Sequence, residues 1–169
     1  ELPEVEVTRL GIKPHLEGRQ ITHVDVIDGR LRWPVPRGLP KILMGQRLDV
    51  IERRGKYLLL KMTNGYLIIH LGMTGVLRVL AQKDPLKPHD RVVIHFDQLT
   101  LRLHDPRKFG AVLWHPATKG DVLHHPLIQK LGPEPLAEEF AGQLGATRLY
   151  QYSRKRSISV KAFLLAGQA

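Results

Sequence analysis

From Gln20 to Trp114 short apolar runs follow one another between turn-forming residues. Ile21-Thr22-His23-Val24-Asp25-Val26-Ile27 alternates with period two, as a half-buried strand does. Lys56–Met62 and Tyr66–His70 flank Thr63-Asn64-Gly65 and predict a hairpin whose turn is Asn64-Gly65. Further strands are expected at Gly75–Leu80, Arg91–Phe96, Leu99–His104 and Ala111–Trp114, with Asp97-Gln98 as a second tight turn. Many short strands between turn signals predict an antiparallel sandwich or barrel.

The flanks carry a different pattern. Pro3 with Glu4 and Glu6 marks a helix start, because Pro suits the first turn and carboxylates favour the positive dipole end. Val5, Leu10, Ile12 and Leu16 form its apolar face, Pro14 lies near its last turn, and Gly18 is placed to cap it near His15–Gly18. After Pro116 the chain turns to Gly, Pro and paired His, then to helix formers over Leu136–Tyr150 and a basic, then apolar, segment over Ser153–Leu165. The expected organisation is therefore a helix plus β-domain over 1–116, a connector over 117–135 and the start of a helical domain over 136–169. Val160, Phe163, Leu164 and Leu165 form an apolar stripe that one or two short helices cannot bury, which points to a truncated helical domain. The fold class is α+β.

Composition narrows the setting. At 169 residues, 43% hydrophobic and 25% charged, the chain can bury one sizeable core and is not a disordered sequence. No apolar run nears the roughly 18–20 residues that cross a bilayer, and the acidic start is unlike a signal peptide, so an intracellular protein with no membrane partner is expected. Zero Cys excludes disulfides, thiolate chemistry and cysteine-bound zinc within these residues. With 26 Lys+Arg against 16 Asp+Glu the net charge is +10, which favours a polyanion, nucleic acid first and an anionic membrane surface second. A basic soluble protein without such a partner is the plain alternative.

The sequence lacks a phosphate-binding Gly-x-x-x-x-Gly-Lys loop, a His-Glu-x-x-His pair and a Gly-x-Ser-x-Gly elbow. Adjacent His124-His125 are poorly spaced to chelate one metal, so no metal site is expected. Three segments invite chemistry. Glu1-Leu2-Pro3-Glu4-Val5-Glu6 crowds carboxylates beside a terminal amine, a nucleophile next to an acid or base, or simply a dipole-satisfying helix start. Arg53-Arg54-Gly55-Lys56-Tyr57 suits phosphate contact, or is a solvated strand edge. Leu71–Gly75 and Asp105–Gly110 each present a bulky side chain in a Gly-flanked turn. Such side chains can unstack a duplex, although Met73 or Phe109 alone is more often a core residue.

Taken together, ELPEVE, Leu31-Arg32-Trp33-Pro34, RRGKYLLL, HLGMTG, Lys87-Pro88-His89-Asp90, DPRKFG and Leu131–Leu136 stand in the order of the bacterial formamidopyrimidine-DNA glycosylases, and the chain resembles that family along its whole length. LGMTG and DPRKFG point to its oxidised-purine branch rather than to endonuclease VIII. The resemblance implies an N-terminal helix on a two-layer β-sandwich, then a helix–two-turn–helix domain and a zinc finger. It implies excision of 8-oxoguanine and formamidopyrimidines from double-stranded DNA, followed by cleavage of the abasic strand through β- and δ-elimination.

The implied nucleophile is an N-terminal proline amine that forms a Schiff base at C1′. By motif, Glu1 is the acid beside it, Glu4 a supporting carboxylate and Lys56 a phosphate-contacting lysine that assists catalysis. Met73, Arg107 and Phe109 match the residues inserted into the duplex; His70 is a phosphate contact and His89 a further DNA-binding position. The sequence starts at the residue that should follow the proline and stops before the family's Gly-Asn-Ile-Tyr-Ala segment. A fragment is therefore expected, with no cofactor of its own and a structural zinc in the full-length parent. The remaining expectations are a monomer, the bacterial cytoplasm and, as the alternative function, a damaged-DNA-binding module without chemistry.

Overall fold

The computed structural model describes residues 2–134, 137 and 142–165. Strands β1 (His23–Val26), β6 (Asp90–Phe96), β7 (Leu99–His104) and β5 (Val76–Ala81) hydrogen-bond in that order into one antiparallel sheet. Strands β2 (Leu48–Arg54), β3 (Tyr57–Met62), β4 (Gly65–His70) and β8 (Ala111–Pro116) form a second. Their facing side chains form one core: Leu58, Leu60 and Met62 of β3, with Leu67 and Ile69 of β4, share a cluster with Val92, Ile94, Leu101 and Leu103 of the other sheet. The expected α+β sandwich is present. The alternate residues Leu59 and Ile68, cross-strand partners on the opposite face, are also buried, so these strands show near-continuous apolar runs.

Helix α1 (Leu2–Leu16) packs against β2 and β5, an edge strand of each sheet, and so closes one side of the sandwich. Val5, Ile12 and Leu16 enter the core, but Leu10 is exposed. At about 100° per residue Val5, Ile12 and Leu16 align, whereas Leu10 lies about 140° round from Val5. Gly18, at φ +82°, ends the helix as expected, and its N–H donates to the Leu48 carbonyl at 2.7 Å.

Two elements escape the sequence pattern. In β2 a bulge between Leu48 and Val50 breaks the alternation, so the buried Leu48 and Ile51 stand three apart. Helix α2 (Leu39–Leu43), which packs on β1, is too short to show a period. The β3–β4 turn is Thr63-Asn64, one residue earlier than expected, because Met62 pairs with Gly65. Asp97-Gln98 forms the second turn, with Asp97 at φ +51° between the paired Phe96 and Leu99.

The chain divides into two compact units, 1–122 and 123–169. In the second, α3 (Gln143–Ser153) and α4 (Val160–Leu165) are separated by a turn in which Lys155 has φ +61°. Ser159 caps α4 by accepting the Ala162 N–H at 3.2 Å. Of the helix expected from Leu136, the first residues fall outside the described ones. Among the described residues no helix is long and apolar enough to cross a membrane, and no three His, Asp or Glu side chains are grouped to hold a metal ion. The zinc implied for the longer protein thus has no donor set among them.

Candidate active site

Three chain segments converge on a cleft of about 290 Å³ lined by Glu4, Val5, Thr8, Lys56, His70 and Met73, among others. The first turn of α1 sets Glu4 at the positive end of the helix, where an anion is favoured. Because Arg54 pairs with Tyr57, Gly55 and Lys56 form a two-residue hairpin turn. Gly55 takes φ +57°, and Lys56 is exposed at the tip. β4 delivers His70 and then turns tightly, the Gly75 N–H donating to the Leu71 carbonyl at 2.9 Å. Met73 is left 68% exposed at the apex.

His70 is held in one tautomer. The Gly72 backbone N–H donates to its Nδ1 at 2.9 Å, so Nδ1 is the acceptor and the neutral ring carries its proton on Nε2. The Tyr57 ring lies against it at 4.9 Å between centroids.

The second Gly-flanked loop, Asp105–Gly110, is interlocked with the Leu71–Gly75 loop. A Cβ on Gly72 would lie 2.5 Å from the Phe109 carbonyl carbon, and Gly72 adopts φ +63°, so only glycine fits. Asp105 is fully buried and bridges the two loops. It accepts the Gly110 N–H at 2.8 Å and the Thr74 hydroxyl at 3.1 Å. Its own N–H donates to the His89 carbonyl at 3.0 Å, which ties in the loop before β6. Arg91 donates to the Asp105 and Pro106 carbonyls and to Asp28, which also takes Lys108 at 2.7 Å. On this support the Arg107 guanidinium stacks 4.7 Å over the Phe109 ring, and Phe109 is 44% exposed.

Glu6 couples α1 to the Lys56 turn. It receives two hydrogen bonds from Arg9, at 2.6 and 3.0 Å, and one from Arg53 at 2.7 Å, while Arg53 also donates to the Gly55 carbonyl. The Arg9 hydrogen bonds, opposed by partial burial and reinforced by Arg53, lower the Glu6 pKa to about 2.

Residues 1–112, which carry every one of these side chains, match the family described as the formamidopyrimidine-DNA glycosylase N-terminal domain. The chain belongs to that family. The formamidopyrimidine-DNA glycosylase of Polynucleobacter necessarius subsp. necessarius (strain STIR1) is 69% identical over 169 residues, which cover 100% of this chain and 61% of that protein. Lactococcus lactis Fpg in a complex with FAPY-dG containing DNA matches with a TM-score of 0.83 at 32% identity, over 99% of this chain and 62% of the other. MutM in complex with carbocyclic 8-oxo-G containing DNA matches with a TM-score of 0.80 at 32% identity, over 99% and 62%. The chain spans about three fifths of the length of the curated glycosylases it matches.

Of the positions assigned by likeness to the glycosylases, Glu4, Lys56, His70 and Met73 line the cleft. Arg107, Phe109 and the exposed His89 stand on the adjoining loops, and Glu1 lies outside the described residues. The supporting residues Glu6, Arg53, Thr74, Arg91 and Asp105 were not singled out from the sequence. Glu6, Arg53, Thr74 and Asp105 lie within segments that invite chemistry, yet their supporting contacts join one segment to another, Glu6 to Arg53 and Thr74 to Asp105.

Proposed function

We propose that this chain is the catalytic N-terminal portion of a bifunctional DNA glycosylase and AP lyase that removes oxidised purines, 8-oxoguanine and formamidopyrimidines, from bacterial DNA in the cytoplasm. The observation that carries this reading is the convergence of Glu4, Lys56, His70 and Met73 on one cleft, beside interlocked loops that expose Met73 and the stacked Arg107–Phe109 pair. Extruding a base costs a few kcal/mol, and apolar side chains that occupy the vacated stack offset it. Lys56 and the His70 Nε2–H then hold the backbone phosphates near the extruded nucleotide, one as a mobile point charge and the other as a fixed donor.

In this scheme the family's terminal amine attacks C1′ with its lone pair as the C1′–base bond breaks, and Glu1 is the acid beside it. The base leaves with the bonding pair and the proton that the amine gives up. The nitrogen lone pair then expels O4′, which takes the Glu1 proton as the sugar ring opens, and the resulting cationic imine acidifies the C2′ proton. Its removal breaks the C3′–O bond and expels the 3′ phosphate, and removal of a C4′ proton in a second elimination breaks the C5′–O bond and expels the 5′ phosphate. DNA-complexed relatives of the same fold support the substrate class.

The test is borohydride trapping on an 8-oxoguanine·C duplex and on a pre-formed abasic duplex. The expected result is a covalent adduct at the N-terminal residue of the complete protein, with Glu1→Gln losing base release but retaining binding. Salt-sensitive binding with no adduct on either duplex would replace this reading with a damaged-DNA-binding module.

A further inference from the structure

The Leu31-Arg32-Trp33-Pro34 segment has no task in the scheme above, yet it is built against the insertion loop. Leu31 and Val35 are buried, and the Val35 N–H closes the turn on the Gly29 carbonyl at 2.9 Å. Between them the Arg32 N–H donates to the Gly110 carbonyl at 3.1 Å, so the Arg32 backbone is fixed beside Phe109–Gly110. Its side chain is exposed, with the guanidinium 4.8 Å over the Trp33 ring.

The surrounding cations differ in one respect. Arg30, Lys108 and Arg91 all direct their charge onto Asp28. Among the described residues no carboxylate pairs with Arg32. A guanidinium stacked on an indole has lost much of its rotamer freedom, while its in-plane N–H groups stay directed outward. That is the arrangement that binds a phosphodiester through two parallel hydrogen bonds at low entropic cost.

We propose that Arg32, stacked on Trp33, is a phosphate-binding position that grips the DNA backbone next to the Arg107–Phe109 insertion. The inference rests on the DNA-directed reading of the site. It assigns Arg32 a share of affinity common to damaged and undamaged duplex, because a phosphate carries no lesion information.

The test is the salt dependence of duplex binding by the complete protein, followed by fluorescence anisotropy between 50 and 200 mM salt on undamaged and abasic-analogue DNA. Each phosphate contact contributes about 0.9 to the slope of log K against log salt. Arg32→Gln is expected to shallow that slope by about 0.9, so that the loss of affinity across this range shrinks by about 3.5-fold, equally on both duplexes. Arg32→Lys should restore the slope. Arg47→Gln should leave it unchanged, since Arg47 pairs with Asp49 and lies some 20 Å from the Gly55–Lys56 turn, at the far end of β2. A wild-type slope in Arg32→Gln, with DNA binding intact, overturns this proposal alone. Failure of the wild-type protein to bind duplex at any salt overturns it together with the DNA reading.

Discussion

Glu6 shows how a side chain outside the cleft governs one inside it. Its carboxylate joins α1 to Arg53, which is 5% exposed, and Arg53 holds the Gly55 carbonyl of the turn that presents Lys56. A carboxyl whose folded pKa is about 2 against an ordinary 4.5 contributes stability that is fully present above about pH 4.5. That contribution is lost as the pH falls toward 2. It amounts to on the order of 3 kcal/mol, and removing the carboxylate also takes away the acceptor of the Arg53 Nε–H. Glu6→Gln should therefore lower the urea-unfolding free energy by about that amount at pH 7. The gap to wild type should close between pH 4.5 and 2. A gap that does not change with pH would assign Glu6 to packing alone. None of this was legible in ELPEVE, where Glu6 is one more helix-start acid. Its partner Arg53 is 47 residues away, and only the fold brings the two together.

Elements were legible where periodicity survives and illegible where local geometry breaks it. β7 and the Asp97-Gln98 turn stand where the pattern placed them, while the bulge in β2 moved its inward residues out of phase. The Leu71–Gly75 and Asp105–Gly110 loops were each visible as Gly-flanked turns, but their interlock was not, because it depends on Gly72 meeting Phe109 and on Asp105 reaching Thr74. This interlock predicts that the loops insert as one body. Gly72→Ala places a methyl within 2.5 Å of the Phe109 backbone at a φ of +63°, so it must displace one loop from the other. Thr74→Val leaves both backbones in place and removes one hydrogen bond to a buried carboxylate, a loss of about 1–2 kcal/mol. Both variants should reduce the ratio of lesion to undamaged affinity, Gly72→Ala by more, and Thr74→Ser should restore it. The fluorescence of a 2-aminopurine placed beside the lesion reports insertion directly. Normal insertion in Gly72→Ala would show that the loops move independently.

Across the whole molecule, the net charge of +10 and the location of the core have separate consequences. Many of the acids that the chain does contain are used internally, Glu6 on Arg9 and Arg53, Asp28 on three cations, and Asp90 on Arg102 and His104. These acids are thus matched within the fold, and the excess of positive charge that remains is what the proposed DNA-directed role would use. The core, by contrast, is confined to the first unit. Every residue of the main apolar cluster lies between Val5 and Val112, and both sheets are complete by Pro116. In residues 123–169 the buried apolar side chains among the described residues are Ile128 and Phe163. Helices of 11 and 6 residues are below the length at which a helix holds without packed partners. A fragment ending at Val122 should therefore keep a β-type far-UV spectrum and unfold in urea as a single cooperative transition, whereas 123–169 alone should show neither. Limited proteolysis of the chain should accordingly accumulate a resistant product whose C-terminus lies beyond Pro116. A resistant 123–169 peptide would show that the helical unit holds by itself, and a non-cooperative 1–122 fragment that the sandwich core does not suffice for its own stability.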